Sequence, residues 1–249
     1  MILCRHLLST LIIALLIQIF ELATTENLIP RNPVILLFGA PLSGKGTQGN
    51  LLSSYLKVPV FQTGNLFRQE VRSGSDLGKE ISTYMESGKL IPSELTISFI
   101  TKTLSSPYYQ SGVIMDGYPR NYNSLANFEN TINTLNIKID FIIFLDASYE
   151  LLISRILNRR VCKNCNRSIS LISSSENCCE NPDLIQRLDD DIEIFEKRYK
   201  DYQEKTLPLI EALRLKYPQK FIHLTPESHF SLNEHQVHEL IIKEMSNLP

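Results

Sequence analysis

A lysine set among glycines, Gly39-Ala-Pro-Leu-Ser-Gly44-Lys45-Gly46-Thr47, follows the apolar run Val34 to Phe38 and opens a segment of helical period. Strand, glycine loop and helix in that order make a cradle for phosphate. The glycines let backbone N–H groups turn inward, the helix N-terminus adds partial positive charge, and Lys45 reaches the outer phosphates. Gly39, Leu42, Ser43, Gly44, Gly46 and Thr47 therefore join Lys45 as candidate phosphate ligands. A Ser or Thr usually follows such a lysine to take magnesium. Here Gly46 stands in that place and the hydroxyl comes one residue later, at Thr47, so a metal must be held differently.

Two further clusters follow apolar runs: Thr63-Gly64-Asn65-Leu66-Phe67-Arg68 and Asp116-Gly117-Tyr118-Pro119-Arg120. Between them, Gly88-Lys89-Leu90-Ile91-Pro92 reads as a helix stop followed by a helix start. In order and spacing these segments resemble the nucleoside monophosphate kinases, and the adenylate kinase family most closely, over residues 34 to 225. The resemblance implies a reversible, Mg2+-dependent transfer of the ATP γ-phosphoryl group to AMP, giving two ADP. It implies catalytic roles for Lys45, Asp116, Arg120, Arg155, Arg159, Arg187 and Arg198. Arg155 and Arg159 join the loop residues toward ATP. The AMP side falls to Thr63, Arg68, Lys89, Leu90, Ile91, Gly117, Tyr118, Pro119, Arg120, Ser124, Arg187 and Arg198. The acceptor is already an anionic phosphate oxygen, so no general base is needed, and positioning with charge neutralisation carries the chemistry. Asp116 is expected to orient magnesium through water, since magnesium keeps several waters and needs few carboxylates.

Three departures from the family pattern stand out. Leu42 replaces a glycine of the loop, acceptable only if its φ stays negative. Asn65 replaces an Asp and removes a carboxylate near the site. Ser124 stands where a Gln commonly reads the AMP base, which keeps a UMP/CMP kinase as the alternative. A nucleotide-binding module that has lost turnover is the reading from a different class.

Five nearly continuous apolar runs read as strands buried on both faces: Val34–Phe38, Val58–Gln62, Gly112–Met115, Phe141–Asp146 and Phe221–Leu224. Helical periods fill Lys45–Lys57, Asp76–Ser87, Pro92–Leu104, Asn123–Leu135, Tyr149–Arg159 and a long stretch from Asp189 to Tyr217. Arg155 and Arg159, four apart, then share a helix face. Ser231 and Glu234 read as a capping box opening a last helix to Met245. The expected fold is α/β: a P-loop NTPase-type central five-stranded parallel sheet flanked by helices, with its ligand at the carboxyl ends of the strands. Residues 31–249 form the kinase domain, with a monophosphate-binding insertion at 63–92 and a lid at 160–188.

Four of the five cysteines lie in that lid. Cys162 and Cys165 have zinc-knuckle spacing, and metal-bound lids carry a second pair about sixteen residues further on. Here the adjacent Cys178 and Cys179 follow after twelve residues. Two neighbours can ligate one ion only through an unusual turn, so structural Zn2+ on all four sulfurs, Asp183 as a substitute ligand, and a disulfide-stapled lid stay open. His235 and His238 on the last helix are assigned to a solvated face.

Arg5 and His6 precede an apolar run from Leu7 to Phe20, which is shorter than a spanning helix needs. Signal peptide, weak anchor and misassigned start are the three readings of residues 1–30. Membrane contact is expected only if residues 7–20 persist as an anchor. The net charge is −2, too little field for non-specific binding of nucleic acid. A site complete in one chain suits a monomer, and a nucleotide kinase suits the cytoplasm.

Overall fold

The computed structural model describes residues 29–30, 32–109, 111–134, 137–165, 167–171, 178–187, 190–225 and 232–248. The apolar run 7–20, residues 226–230 and Ser231 lie outside them.

Strand β1 (Val34–Phe38) leads into helix α1 (Lys45–Leu56). Then follow β2 (Val60–Gln62), α2 (Thr63–Ser73), α3 (Asp76–Glu86), α4 (Ser93–Leu104), β3 (Val113–Asp116), α5 (Tyr122–Thr134), β4 (Phe141–Leu145) and α6 (Tyr149–Asn158). Three short strands come next, β5 (Arg159–Cys162), β6 (Ser168–Ser170) and β7 (Leu184–Ile185). The chain closes with α7 (Ile192–Asp201), a π-helical turn Tyr202–Thr206, α8 (Leu207–Lys216), β8 (Phe221–Leu224) and α9 (Glu234–Asn247).

The main sheet runs β2-β3-β1-β4-β8 and every pairing is parallel. This is the expected five-stranded fold class. Successive β1 residues feed opposite faces. Leu36 and Phe38 join Met115, Phe144, Phe128, Phe195 and Leu209 on one side, while Ile35 and Leu37 join Leu52, Ile143, Val237 and Ile241 on the other. Ile35, Leu36 and Leu37 are fully buried, which explains why the strand reads as a continuous apolar run. Crossing over at β1, the order places the β1–α1 loop beside the carboxyl ends of β2 and β3, where a ligand crevice belongs.

Several sequence expectations are corrected. Thr63–Ser73 is a helix and not only a cluster of candidate ligands; Gly74 at φ 71° ends it. The stretch from 189 to 217 is not one α-helix: the π turn interrupts it, and Pro208 opens α8. Helix α6 ends at Asn158, so Arg159 begins β5 rather than sharing the face of Arg155. The last helix is capped by Asn233 with Gln236, a reciprocal capping box two residues beyond Ser231 and Glu234. His238 is half-buried and meets Tyr55 edge to face at 5.7 Å, rather than lying on a solvated face.

Strands β6-β5-β7 form a separate antiparallel sheet. Arg167 beside it reaches Glu234 at the start of α9, at 3.9 Å. Among the described residues no helix is long and apolar enough to cross a membrane.

Candidate active site

The loop between β1 and α1 is set by backbone conformation. Gly39 has φ 150°, and a Cβ there would lie 2.4 Å from the Leu145 carbonyl; Gly44, at φ 100°, caps α1. Leu42 has φ 69°, overturning the expectation of a negative φ. Left-handed backbone costs a non-glycine residue ~1–2 kcal/mol. Two contacts hold it there: its side chain packs against the core, and its carbonyl accepts from Nη1 of Arg155 at 3.0 Å. Ser43 is buried, and Thr47 is half-buried in the first turn of α1.

Lys45 folds back on its own loop, its Nζ donating to the carbonyls of Gly39 (2.9 Å) and Ala40 (2.7 Å). Burial pulls its pKa from 10.5 to about 8; Asp116 opposes the fall, while Arg120, Arg198 and Arg159 add to it. Asp116, at the end of β3, is raised by burial and held down by Lys45, Arg120, Arg68 and Arg187. Arg120 is lowered to about 10, by burial first and then by the charge of Arg198. The surplus is positive and partly desolvated, an arrangement that seeks anions.

A cavity opens from Lys45 toward α2. Thr63, Arg68, Lys89, Leu90, Ile91, Gly117, Tyr118, Pro119, Arg120, Ser124 and Arg198 all line it. A smaller cavity holds Arg159, Arg187 and Arg198 beside Leu42. The structure thus brings together the residues singled out from both clusters. Thr63 is buried and donates to the Asp116 and Gly117 carbonyls at 3.3 and 3.1 Å, fastening β2 to β3 at the cavity mouth. Arg120 Nε donates to the Gly117 carbonyl at 2.7 Å.

Ser124 faces inward to the chain rather than outward to a base. It is buried, and its Oγ accepts from the backbone N–H groups of Arg120 and Asn121, both at 2.9 Å, while donating to the Asn121 carbonyl. Arg159 grips the buried carboxylate of Asp190 in a two-pronged pair, with Nε to Oδ2 at 2.9 Å. Asp190 escaped the sequence reading, as did Gln62, Tyr202 and Thr206. Thr206 donates to the Arg120 carbonyl at 2.8 Å from within the π turn. Asp190 is the middle of three consecutive aspartates, 189–191, and nothing local singles it out.

The four lid cysteines are unbridged, and their sulfurs all lie within 4.8 Å of one another. Cys162 to Cys179 is 3.7 Å and Cys178 to Cys179 is 3.8 Å. A tetrahedral ion with ~2.3 Å bonds to sulfur needs edges of about 3.8 Å, so the donor set fits zinc. The adjacent pair does converge. Asp183 is not drawn in: its carboxylate pairs with Lys163 at 3.2 Å.

A parallel sheet with a glycine loop after its central strand, and with lysine and arginines gathered at the strand ends, defines a P-loop phosphotransferase. The adenylate kinase family model matches residues 37–217, and the chain belongs to the adenylate kinase family. An adenylate kinase of Desulforamulus reducens is 36% identical over 205 residues, 80% of this chain and 96% of that protein. One of Thermosipho melanesiensis is 35% identical over 185 residues, 72% and 86% of the two chains. One of Pseudothermotoga lettingae is 33% identical over 219 residues, 86% and 96%.

Proposed function

We propose that the chain transfers the γ-phosphoryl group of ATP to AMP, reversibly, giving two ADP, with the named side chains in the following roles. Lys45 leaves the Gly39 and Ala40 carbonyls to meet the β- and γ-phosphates, and the loop N–H groups with Gly44 and Gly46 take the remaining oxygens. Arg155, anchored on the Leu42 carbonyl, and Arg159 serve the ATP side. Arg68, Arg120, Arg187 and Arg198 hold the acceptor phosphate in line. Thr63 and the 88–91 segment wall the AMP, and Tyr118 supports the wall, its hydroxyl bonded to the Ser124 carbonyl at 2.9 Å. The observation carrying this reading is the convergence of Lys45, Asp116 and five arginines on one crevice. Phosphoryl transfer needs charge neutralisation and alignment there, with no general base.

Mg2+, when bound with ATP, neutralises charge on the β- and γ-oxygens. Asp116 suits it: a Cβ on Gly46 would sit 3.5 Å from Asp116 Oδ2, so the glycine leaves the carboxylate open toward the loop. Cys162, Cys165, Cys178 and Cys179 are assigned a structural Zn2+. Residues 63–92 act as the AMP-binding insertion and 160–188 as a lid that excludes water once both nucleotides are bound. The catalytic unit works as a monomer in the cytoplasm, binds no nucleic acid, and meets a membrane only if residues 7–20 are retained.

The test is turnover of AMP, UMP, CMP and GMP in parallel with Mg-ATP on the full chain. AMP preference is expected. Preference for UMP or CMP would move the base assignment, and tight ATP binding without turnover would make the chain a binding module.

A further inference from the structure

Three side chains stand in series between the AMP cavity and the phosphate loop. Arg68 donates to Oδ1 of Asn65, and Nδ2 of Asn65 donates to Oε1 of Gln62. Nε2 of Gln62 then lies 3.4 Å from the Gly46 carbonyl and 3.4 Å from Oδ1 of Asn50. A Cβ on Gly46 would sit 3.5 Å from that same Nε2, so the series ends on the backbone immediately after Lys45.

Its two ends fix its direction. A guanidinium only donates, and a backbone carbonyl only accepts. Both amides between them must therefore turn oxygen toward Arg68 and nitrogen toward Gly46. Only an amide at position 65 satisfies both neighbours. A carboxylate there would accept from Arg68 but could not donate to Gln62. Gln62 would have to turn its nitrogen toward position 65, and its oxygen would then face the Gly46 carbonyl with no proton between them.

We propose that Gln62 and Asn65 are positioning residues, a one-way amide relay that sets the Arg68 guanidinium for the acceptor phosphate and ties that setting to the phosphate loop at Gly46. The proposal rests on the cavity being the AMP site. The acceptor that Asn65 offers Arg68 is a neutral oxygen, so an incoming phosphate dianion displaces an amide at that position rather than a carboxylate. The departure at position 65 and the Gln at position 62 then form one device, each residue making sense only beside the other.

The experiment measures KM for AMP and for ATP, kcat and melting temperature for the full chain and for Asn65→Asp, Gln62→Ala and the double variant. Asn65→Asp, nearly the same shape, is expected to raise KM for AMP about fivefold, the cost of one net hydrogen bond, with KM for ATP unchanged within about twofold. Gln62→Ala is expected to raise KM for AMP about threefold, and the double variant to be no worse than the poorer single one. Additive losses, equal rises in both KM values, no rise in either, or losses that track a fall in melting temperature would each overturn the relay. Failure of the unaltered chain to turn over AMP would overturn the AMP reading, and the relay's role with it. Turnover by the unaltered chain with Asn65→Asp indistinguishable from it sinks the relay alone.

Discussion

Strand β1 and strand β5 each lie in the middle of a sheet, yet their surroundings differ in kind. Every residue of β1 is buried, and both faces of its sheet are covered by helices. In β5 only Val161 and Cys162 are buried, its partners β6 and β7 are short, and Leu171 and Leu184 at their edges are exposed. Three short strands without an apolar face cannot hold together in water. Four convergent thiols stand where a core would be, and a metal ion bound by them would supply folding free energy. The central sheet, buried on both faces, carries a buried lysine and a left-handed leucine in the loop after β1. The small sheet has in place of such a core its clustered sulfurs and the Arg159–Asp190 pair at its base.

The comparison breaks most sharply at Lys45. Lys45→Met is expected to lower kcat by about a thousandfold, the upper range for losing one preorganised charge. It should also melt higher by ~3 °C at pH 7, since a buried ammonium is removed from a well-packed region. The pH dependence has a definite sign. Between about pH 8 and 10.5 the folded chain has lost the Lys45 proton while the unfolded chain keeps it. Stability of the unaltered chain therefore rises with pH across that window, and the advantage of Lys45→Met shrinks there. Melting curves at pH 7, 9 and 10 check this, and a variant that melts lower at pH 7 would show that the loop hydrogen bonds outweigh the desolvation.

At the join between the two regions, Asp190→Ala should cost ~3 kcal/mol in denaturant unfolding, because it leaves Arg159 half-buried and unpaired by its carboxylate. A cost below ~1 kcal/mol would mean that the pair contributes no more than an exposed one. In the lid, Cys162→Ser or removal of zinc by a chelator should speed proteolysis within 160–188 by about tenfold while leaving the far-UV signal of the central sheet in place. Loss of both together would erase the contrast between the sheets. Leu42→Gly is expected to change stability least, by less than ~1 kcal/mol, since relief of the left-handed backbone is offset by lost packing and a more flexible unfolded chain. A large loss would assign the loop's shape to the Leu42 side chain.

The sequence made β1, the glycine loop and the order of the strands legible because burial on both faces leaves uninterrupted apolar runs and because a loop that wraps phosphate needs glycine at fixed places. Gly39 and Gly44 show that need directly. Helix α2 has a well-separated apolar face, with Phe67 buried, but it starts directly where β2 ends and has no capping side chain, so nothing local marks where strand gives way to helix. Asp190 was hidden for a different reason: its partner Arg159 lies 31 residues away, and no local period records such a pairing; Gln62 likewise reaches the Gly46 carbonyl 16 residues away, besides Asn65 three residues on. Ser124 was visible as a departure, but its engagement with the Arg120 and Asn121 backbone depends on the turn before α5, which only the folded chain displays.

The π turn between α7 and α8 has a consequence for how this chain can change length. A π turn holds one more residue than the regular winding around it, so deleting a single residue within 202–206 would restore an unbroken α-helix instead of a gap. The deletion would also keep the phase, since five residues wound i→i+5 sweep about the same angle as four wound i→i+4, and α8 would turn by only about 10° relative to α7. Leu209, Ile210 and Leu213 would therefore stay in the core, and the loss would fall on the turn itself, from which the Thr206 hydroxyl reaches the Arg120 carbonyl. A homologue one residue shorter here would thus keep its C-terminal apolar stripe in register and give up only what the widened turn presents to the site.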